Sequence, residues 1–67
     1  MSSTHPRRRV LRRPEVEDRT GLARSTIYKL IGQGEFPEPI KLGSRSVGWV
    51  EGEIERWIES RRRGVHA

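Results

Sequence analysis

Arg24, Ser25, Thr26, Tyr28 and Lys29 fall within six consecutive residues, and each carries a side chain that can donate a hydrogen bond. Interleaved with them, Ile27, Leu30 and Ile31 stand at i, i+3 and i+4, the spacing of an apolar stripe along one side of a helix. A helix seated on that stripe turns Ser25, Tyr28 and Lys29 outward, with Arg24 and Thr26 near its start. Such groups bind phosphate oxygens or base edges, and a helix presenting them fits the major groove of B-form DNA. The chemistry on offer is recognition by hydrogen bond and charge.

A recognition helix has to be held by other elements. Thr20-Gly21-Leu22 reads as the turn before it: Gly21 has the backbone freedom a tight turn requires, and Leu22 plugs the turn into a core. Upstream, Pro14 suits the first turn of a helix, where its missing N–H would have no intrahelical partner. Glu15, Glu17 and Asp18 complement that helix's dipole, Val16 is its strong apolar contact, and it is expected to stop at Thr20-Gly21. The second helix is expected over roughly Arg24 to Gln33, with Gly34 as its left-handed cap. Pro37 and Pro39 then favour extended chain. Ile40-Lys41-Leu42 and Ser46-Val47-Gly48-Trp49-Val50 read as two short strands closed by Gly43-Ser44-Arg45. A lone hairpin is unstable, so this one must pack on the helices as a wing. A third helix is expected from about Glu51 to Arg62, with Ile54, Trp57 and Ile58 on its apolar face. Trp49, Trp57 and Phe36 are assigned to the core, and Val10-Leu11 is a short lead-in to it.

The expected architecture is therefore mainly α with a small β-hairpin: a winged helix-turn-helix of three helices plus a two-stranded wing. Within the 67 residues, 1–9 read as a disordered basic arm, 10–62 as the domain and 63–67 as a flexible tail. The net charge of +5 is unevenly spread: residues 1–13 carry +5, residues 14–60 carry −3 and residues 61–67 carry +3. This layout suits a nucleic acid, with a folded middle reading a groove and Arg7, Arg8, Arg9, Arg12 and Arg13 as an arm on the backbone phosphates.

Other chemistries find little support. The chain has no cysteine, so disulfides and cysteine-based zinc ligation are excluded. His5 and His66 lie at opposite ends, and no metal or cofactor site is expected. No nucleophile has a histidine base inside the folded region, no glycine loop cradles phosphate, and Glu53 and Glu55 diverge on a helix, so an enzyme is not expected. No apolar run approaches the roughly 18 residues of a spanning helix, so no membrane partner and a cytoplasmic, nucleoid-associated location are expected.

Arg12-Arg13-Pro14-Glu15-Val16, Thr20-Gly21-Leu22 and Ser25-Thr26-Ile27-Tyr28-Lys29-Leu30-Ile31 are followed in order by Gly34-Glu35-Phe36-Pro37-Glu38-Pro39-Ile40-Lys41-Leu42-Gly43, Val47-Gly48-Trp49 and Glu53-Ile54-Glu55-Arg56-Trp57-Ile58. From Val10 to about Arg61 the chain thereby resembles the AlpA-type prophage regulators, small proteins with MerR-like winged helix-turn-helix domains related in form to phage excisionases. The resemblance implies double-stranded DNA binding by a transcription regulator or a recombination directionality factor. It implies that Arg24, Ser25, Thr26, Tyr28 and Lys29 face the major groove, and that Lys41, Ser44, Arg45 and Ser46 are wing contacts to the adjacent backbone or minor groove. Self-association on tandem or paired sites, and an integrase or the transcription machinery as partner, belong to the same expectation. Ala23 departs from the family, which often has Ser there as a helix cap. The competing reading is a protein-interaction module, with the acidic face of the third helix and Trp57 meeting a partner protein.

Overall fold

The computed structural model describes residues 9–64, so the arm residues Arg7 and Arg8 and the last three residues lie outside it. Six elements follow in order: β1 (Val10–Leu11), α1 (Arg13–Thr20), α2 (Arg24–Gly32), β2 (Ile40–Lys41), β3 (Val47–Val50) and α3 (Glu51–Gly64).

The α1–α2 turn is built by the residues expected to build it. Thr20 Oγ1 donates to the Val16 carbonyl at 2.8 Å and accepts the Leu22 N–H at 3.2 Å. Gly21, at φ 75°, takes the left-handed conformation and donates its N–H to the Glu17 carbonyl. At the far end of α2, Gly34 has φ 73°. Its N–H reaches the Ile31 carbonyl while the Glu35 N–H reaches the Leu30 carbonyl, at 3.0 and 2.8 Å. That crossed pair is a Schellman cap, which turns the chain sharply off the helix.

The sheet differs from expectation. Val10-Leu11 is not merely a lead-in; it pairs antiparallel with β3, so the strand order is β1-β3-β2 and the wing hairpin is part of a three-stranded sheet. The reason is that β3 would otherwise leave one edge unpaired, and the Leu11 side chain needs the core that lies beneath it. Leu11 pairs with Trp49 and both are fully buried. The Glu51 N–H continues the zipper to the Arg9 carbonyl at 2.8 Å, which joins residue 9 to the folded part.

Leu11, Val16, Ile27, Phe36, Trp49 and Ile54 form the core, one or more from every element except β2 and with Phe36 from the connector. Leu22, Leu30, Ile31, Val47, Trp57 and Ile58 pack around it, only partly buried. Trp57 is thus a correction to its assignment as core: it packs against the core from α3 and is only partly buried. The third helix also runs two residues past its expected end, to Gly64. Arg62 and Arg63 each reach Glu59 one turn back, and three arginines suit the negative end of the helix dipole.

Gly48 is needed where β1, β3 and β2 meet. A Cβ there would stand 2.5 Å from Val10 Cγ1, and 3.0 Å from both the Leu11 carbonyl oxygen and Leu42 Cδ1. Backbone cannot yield as a side-chain tip can, so Gly48→Ala is expected to cost about 1–3 kcal/mol. A urea titration followed by circular dichroism measures it; an unchanged midpoint would show that β1 can move aside.

Candidate nucleic-acid interface

On α2 the buried Ile27 and the partly buried Leu30 and Ile31 face inward, while Arg24, Ser25, Tyr28, Lys29 and Gly32 are exposed. Those exposed positions recur at intervals of one, three and four residues, so they form one continuous stripe of a helix surface. Tyr28 is 40% exposed. Thr26 lies at the margin of the stripe, partly buried.

The helix begins without a side-chain cap. Ala23 takes the extended N-cap conformation, φ −76° and ψ 161°, and no acidic residue occupies the first turn. The first-turn N–H groups and the positive end of the dipole therefore face outward uncompensated, a setting that favours an anion such as phosphate. Ala23→Ser would place a hydroxyl on those N–H groups. It is expected to stabilise the free protein by about 1 kcal/mol, seen as a rise of about 4–8 °C in the melting midpoint for a domain of this size. An unchanged midpoint would show that these groups are already satisfied.

The hairpin carries the second group of candidates. Lys41, Ser44 and Arg45 are exposed, whereas Ser46 is partly buried. The Ser46 carbonyl accepts the Leu42 and Gly43 N–H groups at 2.8 and 3.3 Å, which closes the turn. Ser46 therefore shapes the tip, and Ser44 and Arg45 stand on it.

The cations divide into two sets. Arg9 pairs with Glu15, Arg13 with Glu17, Arg61 with Glu35, and Arg62 and Arg63 with Glu59. Arg19 holds three carboxylates, those of Glu51, Glu55 and Glu15 at 2.8, 2.9 and 3.0 Å. Hydrogen bonds to Glu51 and then Glu15 raise its guanidinium above the ordinary value, so its charge is present throughout the working pH range and would be lost only in strong alkali. This hub ties the first turn of α3 to α1. Among the described residues, Arg12, Arg24, Lys29, Lys41, Arg45 and Arg56 have no carboxylate within 4.0 Å. Five of these six were singled out from the sequence as backbone, helix or wing contacts. Of the described arm residues, only Arg12 keeps its charge unpaired; Arg9 and Arg13 are partly neutralised. The helix pairs were legible in advance, since Arg13 and Glu17 stand at i, i+4 and Glu59 precedes Arg62 and Arg63 by three and four.

Two helices joined by a three-residue turn, the second with a polar outer stripe and followed by a hairpin, define a small winged helix-turn-helix protein. Residues 9–62 match the family model described as Prophage CP4-57 regulatory protein (AlpA). The chain belongs to that family. It is 48% identical over 63 residues to Uncharacterized protein ORF88 of Enterobacteria phage P4, covering 88% of this chain and 72% of the relative. It is 42% identical over 59 residues to the DNA-binding transcriptional activator AlpA of Escherichia coli (strain K12), covering 79% of this chain and 84% of the relative. No helix of the described residues is long and apolar enough to cross a membrane.

Proposed function

We propose that this protein binds double-stranded DNA sequence-specifically and acts as a transcription regulator, with α2 in the major groove and the β2–β3 wing on the adjacent backbone or minor groove. The observation that carries the reading is the division of the cations. Arg24, Lys29, Lys41 and Arg45, on the two elements a winged helix-turn-helix presents to a duplex, are unpaired among the described residues, whereas most other basic side chains already hold a glutamate. An unpaired surface cation releases counterions on meeting a phosphate without first breaking an ion pair. The uncapped start of α2 adds a further anion-favouring group beside Arg24 and Ser25. Arg7 and Arg8, with Arg12, would add sequence-independent backbone contacts.

An excisionase-type factor would use the same binding step, with several copies on paired or tandem sites and an integrase as partner. The Escherichia coli relative is a DNA-binding transcriptional activator, which favours the regulator. The protein-interaction reading has less support, because Glu51, Glu55 and Glu59 on α3 are engaged by arginines of the same chain.

The test is a binding titration across a salt series, comparing duplex DNA flanking the protein's own gene with a scrambled duplex. Binding that survives added salt on the native duplex and is lost on scrambling supports the proposal. Equal and steeply salt-sensitive binding to both would overturn sequence specificity and turn attention to a protein partner.

A further inference from the structure

The segment between α2 and β2 joins the recognition helix to the wing. Its two prolines, Pro37 and Pro39, have no N–H to give, and the segment belongs to no strand. What holds it instead is a pair of tryptophans. The Trp57 indole N–H donates to the Glu35 carbonyl at 2.8 Å, and the Trp49 indole N–H donates to the Pro37 carbonyl at 2.9 Å. Phe36, between those two carbonyls, is buried and meets the Trp57 ring edge-on at 4.8 Å between centroids. Glu35 is also the residue whose N–H closes the cap of α2 on the Leu30 carbonyl. One indole therefore grips the last residue tied to the recognition helix, and the other grips the chain two residues on, from the central strand of the wing sheet.

The two grips differ in kind. Trp49 is fully buried, and its ring is part of the core. Trp57 is only partly buried, and its bond to Glu35 is exposed. Arg61 lies over the Trp57 ring at 4.9 Å and reaches the same carbonyl at 3.5 Å. Water can replace the Trp57 N–H at an exposed carbonyl, so the bond adds little to folding, yet it specifies where the connector leaves the helix.

We propose that Trp57 is a positioning residue for DNA recognition: through the Glu35 carbonyl it sets the placement of the wing relative to α2, so that both engage one site at once. This rests on the DNA-binding reading above. The interaction matters most on a site that demands helix and wing together. It matters little for non-specific attachment, where either element suffices.

The experiment is hydroxyl-radical footprinting with the full chain on the native duplex, comparing the unmodified protein with Trp57→Phe, which keeps an aromatic ring and removes the donor. Circular dichroism melts of both accompany it. The expected result is a Trp57→Phe protein that still unfolds cooperatively and binds scrambled DNA within twofold of the original. Its preference for the native duplex falls about tenfold, and protection under the wing fades while protection under α2 persists. Unchanged preference and footprint would overturn the proposal, as would equal loss of both patches, which denotes a merely structural residue. If the unmodified protein gives no defined footprint, the DNA reading fails, and this inference falls with it for a recognisably different reason. A second measurement needs no variant. Exchange of the Trp57 indole proton in the unmodified protein is expected to slow on the native duplex more than on the scrambled one, and equal exchange on both overturns the proposal.

Discussion

Trp49→Ala is expected to lower the free energy of unfolding by about 3–5 kcal/mol, as truncation of a large core aromatic does. Trp49 is fully buried, pairs with Leu11 across the sheet and packs in one cluster with Val16, Ile27 and Ile54. Its loss leaves a cavity and also orphans the Pro37 carbonyl that its N–H satisfies. A domain of 67 residues has a total stability of about 3–10 kcal/mol on the usual per-residue scale, so the loss takes a large share of it and the variant should unfold at much lower urea or fail to fold. Urea denaturation followed by far-ultraviolet circular dichroism measures this, with a missing or strongly shifted transition as the expected outcome. Trp57→Ala is the informative companion. Because that ring is only partly buried, its truncation should cost about 1–2 kcal/mol, in the ordinary range for a point substitution. Equal losses at the two positions would mean that Trp57 belongs to the core after all.

The second large effect concerns DNA. Arg24→Ala is expected to weaken binding to the native duplex by about 1–3 kcal/mol, roughly 5- to 150-fold, and to relax preference at the base pair it meets. Arg24 stands exposed in the first turn of α2, unpaired among the described residues, beside N–H groups with no side-chain cap. Lys29→Ala, one turn further along the same stripe, should act differently. It should weaken all sequences alike and reduce the salt slope by about one unit, the signature of a single phosphate contact. Salt-dependent titrations of both variants separate the roles. If neither change alters affinity, α2 is not the helix in the groove.

Much of this was readable from local pattern. The spacing of Ile27, Leu30 and Ile31 locates the inward side of α2, and their complement locates the outward stripe. Gly21 and Gly34 mark the helix ends, because only glycine enters the left-handed region at little cost, and both have positive φ. The turn at Gly43-Ser44-Arg45 follows from composition in the same way. The partly buried state of Thr26 and Ser46 was not readable, since it depends on which neighbour covers each side chain.

Helix positions, their inward faces, the turn between α1 and α2, and the candidate DNA-contacting residues were determined by the sequence alone, because a helix's apolar period and a glycine's conformational freedom act over a few neighbouring residues. Only the tertiary structure decided that Val10-Leu11 becomes a strand, that Arg19 gathers carboxylates from α1 and α3, and that one tryptophan is core while the other pins the connector from outside. Each of these depends on residues 20 to 40 positions apart meeting in space, with separations such as the 36 between Arg19 and Glu55. Such pairings arise from the burial and charge pairing of the whole chain, and no local spacing encodes them.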